Sequence, residues 1–115
     1  MVGTYNITIL QGSDKTITLV LKDDDGVVIN LTGYTAAMHV RTSPKSTTLL
    51  DELTTENGRI VITPLSGKIE LEFPHAVSSE YGFVKAVYDL ELYIGDLVSR
   101  VVEGSFLVSL EVTKQ

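Results

Sequence analysis

The chain has 115 residues, a formal net charge of −6, 43% hydrophobic residues and no cysteine. These values suit one globular domain with a modest core, and they exclude a disordered chain, disulfide cross-links and thiolate metal sites. The acidic balance and the lack of a Lys/Arg cluster argue against nucleic acid as a direct partner.

The sequence also argues against a membrane partner. Its apolar runs are far shorter than the roughly 20 residues that cross a bilayer. The opening residues MVGTYNITIL lack the basic region and the long apolar core of a signal peptide. We therefore expect a single domain over residues 1–115 that acts in the cytoplasm or leaves the cell inside a released particle.

Apolar and polar residues alternate along most of the chain, which is typical of antiparallel strands with one buried face. In the first half the apolar positions are Tyr5, Ile7 and Ile9, then Ile17, Leu19 and Leu21, then Ala36, Met38 and Val40. In the second half they are Ile60 and Ile62, Ile69, Leu71 and Phe73, then Val84, Ala86, Tyr88, Leu90 and Leu92, and finally Phe106, Val108, Leu110 and Val112. This pattern predicts about seven to eight strands in a sandwich or small barrel.

The connections carry turn chemistry. Asp25-Gly26 and Asn57-Gly58 predict hairpin turns with positive φ. Gly104, inside a strand pattern, predicts a bulge or a bend. Residues 42–57, a polar segment with Pro44, predict a long loop that carries a short edge strand.

One short helix is expected. The stretch PHAVSSEYG has Pro74 near its start and Gly82 as its stop. It allows at most two turns.

Candidate metal ligands are sparse. The run DDDG at residues 23–26 lacks the later ligands of an EF-hand, so we interpret it as a solvated hairpin tip. Weak cation binding by Asp23 to Asp25, with Asp14, stays open. His39 and His75 have no HxH or HxxxH spacing, and we predict no metal site.

Candidate catalytic groups are equally sparse. The chain has no GxSxG or phosphate-binding motif, and Ser78 and Ser79 have no adjacent His-acid pattern. Two carboxylate pairs, Glu70 with Glu72 and Asp89 with Glu91, each share a strand face. Such pairs serve glycoside hydrolysis, but on an alternating strand they usually form the wet face. We predict no enzyme, no catalytic residue and no cofactor.

The order of motifs resembles a known family. The first half reads GSDKTITLVLKDDDGVVINLTGYTAAMHVRTSP, and the second half contains YDLELY followed by SRVVEGSFLVSLEVT. From Gly12 to Thr113 the chain resembles the N-terminal domain of phage upper-baseplate proteins. The resemblance implies an immunoglobulin-like antiparallel sandwich in a virion tail or baseplate. Upper-baseplate proteins continue into a longer fibre-holding region, so we expect that this chain does not itself bridge tail core and fibre.

The resemblance implies a non-enzymatic structural protein, assembled in the host cytoplasm, that docks phage structural proteins or fibres and forms homo-oligomers in the particle. Sheet edges and loops are the expected docking surfaces: the AAMHVR strand, the 42–57 loop and the terminal SLEVT. The expected contact residues are Met38, His39, Arg41 and Arg100. Two alternatives are a carbohydrate- or host-surface-binding module and a capsid-decorating protein.

Overall fold

A computed structural model describes residues 3–113 of the protein, so the two residues at each end of the expected domain lie outside the described part. The strands are β1 (Gly3–Thr4), β2 (Ile7–Leu10), β3 (Lys15–Val20), β4 (Thr35–Arg41), β5 (Leu49–Thr54), β6 (Ile60–Thr63), β7 (Lys68–Phe73), β8 (Lys85–Ile94) and β9 (Leu97–Ser109). The helical segments are a 3-10 turn at Pro64–Ser66 and α1 at His75–Ser78. No helix within residues 3–113 is long and apolar enough to cross a membrane.

The strands form two sheets. The larger has the order β1-β9-β8-β4-β5, with β2 also paired to β9, and the smaller has the order β3-β7-β6. These orders match the G-F-C-C′ and B-E-D strands of an immunoglobulin-like sandwich, so the predicted fold class is confirmed. Two details differ. The strands β1 and β2 run parallel to β9, and the strand number rises to nine because residues 5–6 split one edge strand in two.

The core lies between the sheets and follows the predicted alternation. In β7, Ile69, Leu71 and Phe73 are fully buried while the residues between them stay partly exposed. Phe106 of the larger sheet meets Phe73 of the smaller one at a ring-centroid distance of 5.8 Å. Burial of each such side chain stabilises the fold by about 1.5–3 kcal/mol.

The predicted alternation is wrong at four positions. Because β9 ends at Ser109, Leu110 and Val112 lie beyond the sheet and are 54% and 94% exposed. Tyr5 and Val84 are also exposed, since each lies outside the regular strands. An apolar residue in the alternating pattern is therefore buried only where its strand packs against the opposite sheet.

Of the bulge or bend predicted at Gly104, the bulge is wrong. The β8–β9 register shifts at Val101, three residues earlier, whereas Gly104 pairs regularly with Tyr88. A Cβ at position 104 would clash with the backbone carbonyl of Tyr5. Glycine therefore allows the edge segment to approach β9 closely.

The predicted edge strand and the positive φ predicted for both turn glycines are confirmed, but the hairpin predicted at Asn57-Gly58 is wrong, because β5 lies in the larger sheet and β6 in the smaller one. Gly26 and Gly58 both have a φ of +80°. Asp23 accepts the N–H of Gly26 at 3.0 Å and donates its own N–H to Val27 at 2.9 Å, which encloses a three-residue loop ending in a left-handed glycine. In segment 42–57, β5 forms one edge of the larger sheet, and its Leu53 is fully buried.

The predicted helix is present but spans a single turn. The Asp14 carboxylate accepts the backbone N–H of His75 at 2.6 Å and contacts its Nδ1 at 2.9 Å. The Ser78 hydroxyl donates to the carbonyl of Ser13 at 2.9 Å. After Ser78 the chain turns inward and buries Tyr81, so the helix does not reach Gly82.

Candidate functional site

The outer face of the larger sheet gathers ionisable side chains from four strands. The register places His39 of β4 between Glu52 of β5 and Asp89 of β8, and it places Asp89 beside Glu103 of β9. Since side chains alternate along a strand, these residues point away from the core. We call this surface the charged face. Its members are His39, Arg41, Glu52, Asp89, Glu91, Arg100 and Glu103.

An open depression of about 390 Å³ lies on the charged face. Ser43 and Pro44, from the loop after β4, form part of its rim, and Tyr88 contributes to its lining. The depression presents charged groups to solvent. This geometry suits contact with a macromolecular surface better than enclosure of a small substrate.

The imidazole of His39 is held in one tautomer. Nη2 of Arg41 lies 3.1 Å from Nδ1 of His39, and Oε2 of Glu52 lies 2.9 Å from its Nε2. A guanidinium can only donate, so Nδ1 accepts and Nε2 carries the proton that it donates to Glu52. His39 therefore links Arg41 to Glu52.

The Arg100 guanidinium bridges two carboxylates. Its Nη1 donates to Glu103 at 3.0 Å, and its Nε lies 3.9 Å from Asp89. The hydrogen bond to Glu103 and the nearby negative charges raise the pKa of Arg100 above its ordinary value. The side chain remains about half exposed, so a partner can reach it.

Asp89 is a carboxylate of the charged face whose ionised form is disfavoured. Partial burial, followed by the charge of Glu91, raises the pKa of Asp89 above its ordinary value. Burial and a 2.9 Å hydrogen bond to Glu91 similarly raise the pKa of Tyr93 to about 12. Four carboxylates share this face with two guanidinium groups, and the like charges oppose one another.

The expected contact residues separate into two groups. His39, Arg41 and Arg100 lie together on the charged face. Met38 was predicted as a contact residue but is fully buried in the core, because it alternates with His39. The expectation that the AAMHVR strand is a sheet edge is also wrong, since β4 lies between β8 and β5.

The two carboxylate pairs lie on different sheets. Glu72 accepts from the Thr16 hydroxyl at 2.9 Å, and Glu70 lies 3.9 Å from Nζ of Lys68. Asp89 and Glu91 belong to the charged face. Oδ1 of Asp23 accepts backbone N–H groups of its own turn, and no set of three or more metal-ligand side chains is assembled within residues 3–113.

Sequence reasoning missed one buried polar cluster. Arg59 makes a bidentate contact with Asp51, Tyr81 donates its hydroxyl to the same carboxylate, and Nε of Arg59 donates to the carbonyl of Glu72 at 3.0 Å. Burial opposes ionisation of Asp51, but these donors outweigh it and lower its pKa. The three residues are too far apart in the chain for any local pattern to reveal them.

Comparison with models of known protein families gave no match, and comparison with curated proteins gave no significant match. The geometry of the charged face and the motif resemblance are therefore the grounds for assigning a function.

Proposed function

We propose that this chain is a non-enzymatic structural protein of a phage virion, in the tail or baseplate, that docks a neighbouring virion protein through the charged face. The motif order from Gly12 to Thr113 supports the phage assignment. The observation that carries the docking surface is the convergence of His39, Arg41 and Arg100, from strands β4 and β9, on one exposed face.

The charges of the face indicate the chemistry of the partner. On this face four carboxylates stand against two guanidinium groups. A protein surface that offers lysine or arginine side chains beside Asp89, Glu91 and Glu103 would relieve their mutual repulsion. The partner would also supply acceptors for Arg41 and Arg100.

The raised pKa of Asp89 gives independent support. A carboxylate held where its ionised form is disfavoured lowers the stability of the isolated domain. In natural proteins, groups held in such unfavourable environments occur mainly at functional sites. A basic partner would favour the ionised form, so docking would recover part of that cost.

Electron microscopy of particles that carry an epitope tag on this protein tests the proposal. Label on tails or baseplates is the expected result. Label on heads would replace it with the capsid-decorating alternative, and particles without label would reject a virion role. If isolated folded protein bound a glycan array, the carbohydrate-binding alternative would replace docking to a virion protein.

A further inference from the structure

Side chains bind backbone groups on both edges of the larger sheet. At β5, Asn57 accepts the N–H of Thr54 at 3.0 Å and donates to the carbonyl of Glu52 at 3.1 Å. At β2, Nζ of Lys15 donates to the carbonyl of Thr8 at 3.1 Å. These bonds occupy backbone groups that an incoming strand would need.

The smaller sheet ends in β3 on one side and in β6 on the other, and the outer edge of β3 differs from the two edges of the larger sheet. Within residues 3–113, β3 pairs with β7 alone. Leu21, just after β3, donates its N–H to Gly67, just before β7, at 2.8 Å. Along an antiparallel pair, hydrogen-bonded and non-hydrogen-bonded residues alternate. Every second residue counted back from Leu21 therefore bonds to β7. The residues between them direct their N–H and C=O groups away from β7. The outward residues are Thr16, Thr18 and Val20.

Two contacts agree with this direction. Glu72 of β7 donates its N–H toward β6, to Arg59 at 2.9 Å, so its neighbours Leu71 and Phe73 face β3. Ile29 donates its N–H to the carbonyl of Leu21 at 2.9 Å, on the same side of the chain as β7. The segment that returns after the Asp25-Gly26 turn therefore leaves the other side of β3 free. No backbone hydrogen bond of the described chain reaches that open side.

After Lys15 at its first position, the open edge lacks the usual protections against strand addition. Residues 16–20 have neither a proline nor a charged side chain, two devices that block edge pairing in natural sheets. Thr16, Thr18 and Val20 are exposed. The edge is therefore suited to a further extended strand.

We propose that β3 pairs antiparallel with β3 of a second copy of this chain, with Thr18 on the two-fold axis. Thr18 then faces Thr18, and Thr16 faces Val20 of the second copy. All three outward residues pair with one another, which forms about six backbone hydrogen bonds and joins the two smaller sheets into one. Registers shifted by two residues leave one outward residue of each copy unmatched.

Charge complementarity supports this register. Asp14, one residue before β3, lies opposite Lys22 of the second copy, and the same pair recurs across the axis. Lys22 is exposed, and among the described residues it forms no ion pair. Opposite charges on facing residues of neighbouring strands are stabilising.

Oxidative cross-linking tests the register. The chain has no cysteine, so Thr18→Cys introduces a single thiol on the axis. Facing Cα atoms of a hydrogen-bonded antiparallel pair lie about 5.5 Å apart, within the disulfide range. We expect Thr18→Cys to form a disulfide-linked dimer as the main product under mild oxidation.

Two matched variants control for random collision. In Thr16→Cys the two thiols are offset by four residues, roughly 14 Å along the strands, so little dimer is expected. Thr16→Cys combined with Val20→Cys brings unlike cysteines opposite each other and restores cross-linking. Equal dimer from Thr16→Cys and Thr18→Cys would overturn the proposal.

Association is measured on the uncross-linked protein by light scattering across a concentration series. Thr18→Pro removes the N–H on the axis, and the monomer tolerates it because that N–H does not bond to β7. We expect its dimer dissociation constant to rise at least about tenfold, while Thr18→Ala, which keeps the N–H, associates like the wild type. A wild-type protein that stays monomeric throughout, with no cross-linking of Thr18→Cys, would overturn the proposal and leave the charged face unaffected.

Discussion

Arg59 and Asp51 join the two sheets: Nη1 and Nη2 of the guanidinium lie 3.0 Å and 2.9 Å from the two carboxylate oxygens. Asp51 belongs to the edge strand β5 of the larger sheet, and Arg59 immediately precedes β6 of the smaller one. Both side chains are largely buried, at 15% and 13% exposure for Arg59 and Asp51. The pair therefore fixes one side of the sandwich.

Arg59→Ala should reduce the free energy of unfolding by about 2–4 kcal/mol, because Asp51 is left as a buried charge with fewer donors. Urea denaturation measures the change. Arg100→Ala, which removes an exposed ion pair, is the control and should change the free energy by no more than about 1 kcal/mol. Equal losses of unfolding free energy in the two variants would contradict a larger stabilising role for the buried inter-sheet pair.

The same pair predicts a pH dependence. The Arg59 and Tyr81 donors hold the pKa of Asp51 below its ordinary value in the folded protein, so its stabilising effect is complete above the unfolded-state pKa and is lost as pH falls through the folded pKa. The stability difference between wild type and Asp51→Asn should be constant near neutral pH and shrink in this acidic range. A difference that grew on acidification would contradict the lowered pKa.

Asp89 predicts a pH dependence of stability with the opposite sign. Its pKa is raised in the folded protein, so folding favours the protonated form and ionisation at neutral pH lowers stability. Asp89→Asn should raise the melting temperature at pH 7, and the gain should fade as pH drops through the folded pKa. Asp96→Asn, in the exposed turn between β8 and β9, removes the same net charge and should raise it less.

Gly104 predicts a steric effect. Gly104→Ala should destabilise the protein by about 1–3 kcal/mol, since its Cβ would push the edge segment at Tyr5 away from β9. Gly82→Ala is the matched control: its Cβ meets nothing within 4 Å, and its φ is not positive. Thermal unfolding of both variants decides the point, and indistinguishable melting temperatures would contradict the close approach.

The strands and the core could be predicted because alternation is a local signal. In β7, Ile69, Leu71 and Phe73 are buried as the pattern indicates. The order of strands across a sheet is not local, which is why β4 was expected at an edge and lies in the interior of the larger sheet.

The candidate site shows the same limit. Sequence reasoning selected His39, Arg41 and Arg100 as contacts, and their role stays a prediction. It could not predict that strand pairing sets Asp89 and Glu103 beside them, because the register between β8 and β9 depends on the bulge at Val101. The link from Asp51 to Tyr81 spans 30 residues and requires the complete fold.

Incorporation of a charge-reversed protein into particles tests the docking role of the charged face most directly. Glu103→Lys places a lysine beside Arg100, whereas Glu70→Lys makes the same change on the outer face of the smaller sheet. With both variants folded, as judged by circular dichroism and melting temperature, we predict that Glu70→Lys is incorporated like the wild type and that Glu103→Lys is excluded. Equal incorporation of the two variants would contradict the account.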